Sequence, residues 1–314
     1  MAILSGGWFS IAYDRTDEKL ISSLKYHARV AKWYFDSHIG NGYLQFSRSG
    51  IRWTAPRRDR FISPSLYIQH GWQCNEINAA LGWLHRTGAT NSQRNIIVTA
   101  GAHIGSTAIH FATQSHYRIL AIEPVEEHFE LLKRNVSDNN LSDRIFCHKA
   151  AVYDSEKEVM LAVPRSNTGA AEICSHAHSN TYGDRWGPAK LFSSIAKPLN
   201  SILREEEISC SQVALVWADI QGCEGHLIRS ARKLWEFGVP LVMEFWPDGL
   251  KSQQERDLIS TIRAHFEGFS MFPTPQSSDQ GFNFRPTSEL EESIVGDREE
   301  VDLLLLPRLA RRDS

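Results

Sequence analysis

The chain changes rhythm near residue 95. Before it, apolar positions recur at helical spacing in two places. Leu20, Ile21, Leu24, Ala28, Ala31, Tyr34 and Phe35 fall on one face of a helix. Thr16 is its candidate N-cap, and Asp17 and Glu18 follow in the first turn, where the helix dipole favours acids. Gly40, Asn41 and Gly42 stop that helix. Residues 43–70 are short aromatic runs broken by proline, which predict strands or loops. A second helix is predicted over 75–86, with Ile77, Ala80, Leu81 and Leu84 inward and Gly88 beyond its end.

After residue 95, short apolar runs alternate with helical ones. Strands are predicted over 96–100, 119–122, 145–152, 213–220, 240–245, 269–272 and 301–306. Helices are predicted over 105–114, 224–237 and 252–266, and another carries Val125, Phe129, Leu132 and Val136. Such alternation builds a parallel sheet with helices on both faces. Ligands on such sheets sit at the carboxyl ends of the strands. Residues 166–197 resist the rhythm. They are polar and rich in Gly, His and Ser, with Tyr182 and Trp186, and read as a long functional loop, most simply a substrate lid. The organisation expected is an N-terminal helical and aromatic extension over 1–94, a candidate substrate cap, and one domain over 95–314 with the insert 166–197.

Composition narrows the function. The 314 residues carry 34 basic and 37 acidic side chains, a net charge of −3. That balance disfavours a dedicated duplex-DNA binder, and nucleic acid is not the expected partner. No apolar run reaches the roughly 18 residues of a membrane span. The first residues lack the basic start of a signal peptide. Five cysteines with no Cys-x-x-Cys pair read as reduced thiols of a cytoplasmic protein, which disfavours a disulfide scaffold or structural zinc. Near-neutrality hides one local feature. Arg48, Arg52, Arg57, Arg58 and Arg60 alternate with Phe46, Trp53 and Phe61. A solvated face is the favoured reading of this stretch, and a grip on an anionic acceptor, such as a nucleotide-linked sugar or a nucleic acid, is the alternative.

The most informative chemistry is at the strand-to-helix turn Thr99-Ala-Gly-Ala-His-Ile-Gly105. Gly101 permits a tight turn and close approach of a ligand to the backbone. Gly105 opens the helix. The spacing is Gly-x-x-x-Gly, unlike the Gly-x-Gly-x-x-Gly that cradles a pyrophosphate, and it suits the amino-acid end of S-adenosylmethionine. Glu123 closes the next predicted strand, 22 residues after Gly101, where a carboxylate can accept both ribose hydroxyls, and Pro124 follows it. A second cluster, Trp217-Ala-Asp-Ile-Gln-Gly-Cys-Glu-Gly225, places Asp219 at the end of an apolar strand. Glu244 ends the strand after that. Taken alone, Asp219 reads as a helix cap and Glu244 as a solvated rim acid. Taken together, two acids at adjacent strand ends face the ligand crevice. Their role there is general base, with Asp219 first and Glu244 second, while His226 on the following helix reads more simply as structural or solvated. His103 lines the methionine end or faces solvent.

These residues match a family. The chain resembles the FkbM-type methyltransferases, class I S-adenosylmethionine enzymes that commonly methylate hydroxyl groups of sugars and polyketides. The resemblance runs from about residue 96 to 245. It is carried by Gly-Ala-His-Ile-Gly (101–105), Ile-Glu-Pro (122–124), Asn135 and Asn139–Leu141, Asn167-Thr-Gly169, Asp-Ile-Gln-Gly-Cys-Glu (219–224) and Met-Glu-Phe (243–245), with Gly71-Trp-Gln-Cys-Asn-Glu76 as a lead-in. The resemblance implies an α/β, Rossmann-like sheet, mostly parallel with the last strand antiparallel. It implies S-adenosylmethionine as cofactor, held by Gly101, Ala102, His103, Gly105, Glu123, Pro124, Ala150, Ala151 and Asp219. Asn167, Gly169, Glu224 and Trp246 fall on the acceptor side. The chain departs from the family at Thr99, where an acid is usual, at Trp217, where Lys is common, and at Asn200, where Asp is frequent. Asp219, Glu224 and Glu244 could hold a divalent ion, and His176 with His178 a transient one, but no tight metal signature favours either. The function expected is methyl transfer to a hydroxyl of a sugar, glycan or other metabolite, with an acceptor that is small or a glycan and in one reading anionic. An RNA methyltransferase and a non-catalytic binding protein on the same fold are the alternatives. No Asn/Asp-Pro-Pro-aromatic motif of amino-group methylation is present. Assembly into a homo-oligomer is left open.

Overall fold

The computed structural model describes residues 6–40, 42–69, 71–87, 93–174, 188–245, 257–272, 281–294 and 301–308, with side chains from residue 22 onward. The long helix α1 (Gly6–His38) starts ten residues before Thr16, so Thr16 lies inside the helix rather than capping it. A single Thr or Asp within a helix costs only about 0.5 kcal/mol, which neighbouring turns offset. A two-residue turn then joins β1 (Tyr43–Arg48) to β2 (Ile51–Pro56). Ser49 and Gly50 both take positive φ, 52° and 79°, as the tight hairpin turn requires. The short α2 (Ile62–Pro64) follows, then α3 (Cys74–Thr87), which buries Ile77, Ala80 and Leu84 as its apolar spacing predicts.

Nine strands, including one extra edge strand and one extra short segment, come from the alternating region. They are β3 (Ile96–Ala100), β4 (Arg118–Ile122), β5 (Ile145–His148), β6 (Ala151–Val152), β10 (Val213–Ala218), β11 (Leu241–Phe245), β12 (Phe266–Met271), β13 (Arg285–Pro286) and β14 (Val301–Pro307). All but β6 form one sheet in the order β13-β12-β14-β11-β10-β3-β4-β5. Pairings from β5 through β11 are parallel, and β14 runs antiparallel to both neighbours. The mostly parallel sheet is what the alternating pattern predicts, and its reversed last strand completes the α/β, Rossmann-like architecture that the family resemblance implies. Its central strands β3 and β10 are buried along their whole length.

Helices cover both faces. On one lie α3, α4 (Ser106–Gln114) and α5 (Glu126–Asp138), packed with Ile97, Ile119, Trp217 and the hairpin residues Trp53 and Ala55. On the other lie α6 (Leu199–Glu205), α7 (Glu224–Ser230), α8 (Arg232–Glu236) and α9 (Leu258–His265). The short α10 (Leu290–Ile294) joins this layer through Leu290. The hairpin and α3 therefore share the core of the sheet domain. Asn135 on α5 and Asn139 at its C-cap, one turn apart, fasten the hairpin. Asn135 accepts from Thr54 N–H at 2.7 Å and donates to Thr54 C=O at 3.1 Å, and Asn139 does the same with Arg52 at 2.8 and 2.7 Å.

Three predicted spans change. The run 145–152 divides, because the chain leaves the main sheet after His148 and β6 joins a second one. The helix expected over 224–237 breaks at Ala231, whose ψ is 20°. Trp235 Nε1 donates to Ile228 C=O at 2.8 Å, so a carbonyl beside the break keeps a partner. The insert 166–197 is not one loop. Residues 175–187 lie outside the described residues, but β8 (Glu172–Cys174) and β9 (Ala189–Lys197) flank them as strands. With β7 (Lys157–Pro164), which the pattern did not predict, they form a second sheet in the order β6-β9-β7-β8. All five cysteines are free thiols.

Candidate active site

The carboxyl ends of β3, β4 and β10 meet the inner face of the second sheet, and a crevice opens between them. Gly101, His103, Glu123, Pro124, Ala150, Ala151, Gly169 and Asp219 line it. Sequence spacing or the family resemblance points to each of these. The structure adds His128, Val152, Leu161, Thr168, Ala171, Ile173, Ile220 and Cys223. Of these, Leu161, Ala171 and Ile173 come from or beside strands of the second sheet, which carried no periodicity to announce a ligand wall. His128 and Thr168 each lie within a few residues of a predicted site residue, and that adjacency is the signal that could have found them.

Gly101 has φ of 81°, a conformation open to glycine. A Cβ there would stand 1.9 Å from the carbonyl oxygen of Asp219. The close approach that demands glycine is thus made by the neighbouring strand end. Asp219 N–H in turn donates to Ala100 C=O at 3.0 Å, so the two turns are joined at their roots. Gly105, at φ 94°, precedes α4, and a Cβ there would press on Leu132 of α5 at 2.9 Å. Ala102 is buried beneath the turn.

Glu123 is 3% exposed and holds the first turn in place. Its Oε2 accepts from His103 N–H at 2.8 Å and its Oε1 from Val125 N–H at 2.9 Å. His103, with φ of 50°, turns its ring against His128, with centroids 4.4 Å apart, and its Nε2 lies 3.0 Å from Thr168 Oγ1. Burial, and then the neighbouring His128, hold the His103 imidazole well below the usual histidine range, so it is neutral at pH 7. Its Nδ1 is buried without a hydrogen-bond partner among the described residues.

The second turn has its own logic. Glu224 is buried, and its two oxygens accept from Ile220 N–H at 3.1 Å and Gly222 N–H at 2.9 Å. Burial pushes its carboxyl up to about 7, with the Asp219 charge adding to that, against the two backbone N–H bonds. Glu224 therefore closes its own turn and is not among the lining residues. Gln221, at φ 47°, donates from Nε2 to Asp219 Oδ1 at 2.7 Å and to Glu244 Oε2 at 2.8 Å. One amide thus bridges the two carboxylates that the spacing puts forward as bases, of which Asp219 lines the crevice and Glu244 stands behind it, outside the lining. Gln221 was part of the motif but had no assigned role.

His226 lies elsewhere. Its Nδ1 is 2.6 Å from Asp154 Oδ2, its ring stacks on Tyr153 at 3.7 Å, and Arg229 joins the cluster. Burial keeps it below the usual histidine range, although Asp154 pulls the other way. It is absent from the crevice lining. Asn167 is half-buried, and its carbonyl accepts from Ala170 N–H in the turn that carries Gly169. Trp246, His176 and His178 lie outside the described residues. Thr99 and Trp217, two departures from the family pattern, face the core. Trp217 sits among Phe111 and Phe272 at 5.5 and 5.8 Å, and Thr99 is 1% exposed. Asn200 is half-buried on α6.

A mostly parallel sheet with a reversed last strand, and a crevice at its strand ends closed by a glycine turn and two acids, make this protein an S-adenosylmethionine-dependent methyltransferase. Residues 100–271 match the methyltransferase FkbM domain, and the chain belongs to that family. No curated protein matches the chain. Solved structures similar to it include an O-methyltransferase from Bacillus cereus in complex with S-adenosylhomocysteine, at 14% identity and TM-score 0.39, covering 75% of this chain and 89% of that one. A SAM-dependent O-methyltransferase from Thermotoga maritima has 11% identity and TM-score 0.35, covering 76% and 66%. A tRNA (m1A58) methyltransferase from Aquifex aeolicus has 12% identity and TM-score 0.38, covering 75% and 69%. Likenesses this distant carry no argument about the acceptor. No helix among the described residues is long and apolar enough to cross a membrane.

Proposed function

We propose that the protein transfers a methyl group from S-adenosylmethionine to a hydroxyl of a sugar, glycan or other hydroxylated metabolite, and that it works in the cytoplasm. The observation that carries this reading is the pairing of Glu123 with Asp219 across one crevice. Each Glu123 oxygen accepts one backbone N–H, and a carboxylate oxygen has capacity for a second donor, so the acid suits a pair of ribose hydroxyls. Bound there, S-adenosylmethionine supplies an already activated methyl on a sulfonium centre. The protein's share is then to position, to exclude water and to take a proton. Orientation of two bound reactants supplies roughly 7–11 kcal/mol of such a barrier. Asp219 is the base we assign for the acceptor hydroxyl, a role worth about 10²- to 10⁴-fold. Gln221 fixes Asp219 Oδ1 and ties it to Glu244, the second candidate. His226, held on Asp154, supports no part of this step.

Calorimetry with S-adenosylhomocysteine tests the reading directly. Glu123→Gln replaces a charged acceptor by a neutral amide and should weaken binding by about 2 kcal/mol, near thirtyfold. No heat with the unaltered protein at millimolar ligand, or equal affinity in the variant, would sink the assignment.

A further inference from the structure

Arg57, Arg58 and Arg60 come together at one place on the surface. They line a groove with Arg165, beneath the C-terminal end of α1. Trp33, Tyr34, Ser37 and His38 form one wall, and Arg57, Arg58, Asp59, Arg60, Pro64, Arg165 and Ser166 form the other side. We propose that this groove is the anion subsite of the acceptor, and that the acceptor is a small molecule bearing a phosphate or diphosphate. The inference rests on the crevice being the methyl-transfer site, and names the substrate class for it.

Three observations carry it. The first is charge. Arg58, Arg60 and Arg165 are exposed, and no carboxylate among the described residues pairs with them. Arg57 is committed, donating to Tyr43 C=O and to Asp36 C=O, and so fixes α1 against the hairpin. The two nearby acids are spent. Asp36 bonds Lys32 Nζ at 2.7 Å and receives Tyr67 O–H at 2.9 Å. Asp59 is buried and accepts from Ser63 N–H at 2.5 Å and Phe61 N–H at 3.4 Å. Among the described residues the groove thus presents three guanidinium groups without a carboxylate partner, the side chain best matched to phosphate oxygens.

The second is position. Ser166 C=O accepts from Arg60 N–H at 2.9 Å, which joins the two arginine-bearing segments. Two residues further, Thr168 and then Gly169 line the cofactor crevice. Ser166 and Gly169 are separated by three residues, at most about 10 Å of chain. A Cβ on Gly169 would stand 2.7 Å from Ile62 Cδ1, so this segment packs directly on α2, which follows the arginines in the chain. An acceptor anchored by its phosphate has its hydroxyl groups within reach of the crevice.

The third is shape. Tyr34 is 67% exposed and stacks on His38, with centroids 4.3 Å apart and planes 26° apart. Paired aromatic rings beside a cationic floor suit a ring-bearing phosphate, such as a sugar or nucleoside phosphate.

The probes are inorganic pyrophosphate and S-adenosylhomocysteine, titrated into the full chain at low salt. Pyrophosphate should bind with a Kd below about 1 mM, alone and with S-adenosylhomocysteine present. Arg60→Glu and Arg165→Glu should each weaken it by about tenfold or more, and Arg60→Lys by less, because charge is kept while the bidentate fork is lost. Equal thermal midpoints guard against misfolding. Pyrophosphate binding that the charge reversals leave unchanged would overturn the proposal, as would displacement of S-adenosylhomocysteine by pyrophosphate. A short RNA that binds the groove and resists millimolar pyrophosphate would overturn it in favour of a polynucleotide. Failure of S-adenosylhomocysteine to bind, with pyrophosphate still sensitive to Arg60→Glu, would count against the methyl-transfer reading and leave the anion site standing.

Discussion

Two glycine turns stand side by side at the ends of paired strands, one after β3 and one after β10, and they are built in opposite ways. The first is held from outside. Glu123 reaches from the end of β4 to catch His103 N–H, and still lines the crevice. The second is held from within. Glu224 catches Ile220 and Gly222 of its own turn and is withdrawn from the crevice. A glutamate that braces across strands keeps a face toward a ligand. One that braces its own loop gives that face up and leaves the exposed position to a shorter acid, here Asp219. Equivalent motifs of acid and glycine thus divide into one that keeps its glutamate on the crevice and one that presents an aspartate there.

Three experiments bear on that contrast, and the largest effect is expected where the turns touch. Gly101→Ala places a methyl group 1.9 Å from Asp219 C=O at a positive φ. The neighbouring atom is backbone and cannot swing away, so the loss of stability should be about 3 kcal/mol or more by urea unfolding. A change below about 1 kcal/mol would mean that the turns are not locked together.

The next distinguishes the two glutamates by pH. Glu224, pushed up to about 7 from its ordinary 4.5, keeps a proton in the folded state that the unfolded chain has released. Its contribution is therefore full below pH 4.5 and is lost as pH rises toward 7. Stability should fall by about 3 kcal/mol across that window from this group. In Glu224→Gln the slope should flatten, read from urea midpoints at several pH values. An unaltered slope would assign the titration to another group.

The smallest effect concerns the turn after β10, where we propose the base lies. Gln221→Leu removes the amide between Asp219 and Glu244 while leaving Glu123 and its turn untouched. The expected result is a kcat lower by about tenfold with S-adenosylhomocysteine affinity nearly unchanged. A loss of affinity with kcat intact would move Gln221 to the cofactor side.

The central sheet was legible because a parallel strand buried on both faces must be a continuous apolar run, as Ile96–Ala100 and Val213–Ala218 are. The second sheet was not. Its strands β7, β8 and β9 pair antiparallel and are half-exposed, and β7 and β9 carry lysines that read as loop. The crevice ends of β3, β4 and β10 were legible from glycine and acid spacing. The direction of each acid was not, since it depends on which backbone N–H groups fall within reach of each side chain. His226 is held by Asp154, 72 residues away, a partner that no local spacing announces. The arginine groove needed Arg165 and α1 to bring meaning to the basic stretch.

The two asparagines at the C-terminal end of α5 have one more consequence. The outward N–H and C=O groups of Arg52 and Thr54 would otherwise offer a bare strand edge, the template on which chains of the same kind add to one another and aggregate. Asn135 and Asn139 occupy all four of those groups, with side-chain amides spaced one helical turn apart standing in for a neighbouring strand. A helix, which has no free edge of its own, thereby seals one.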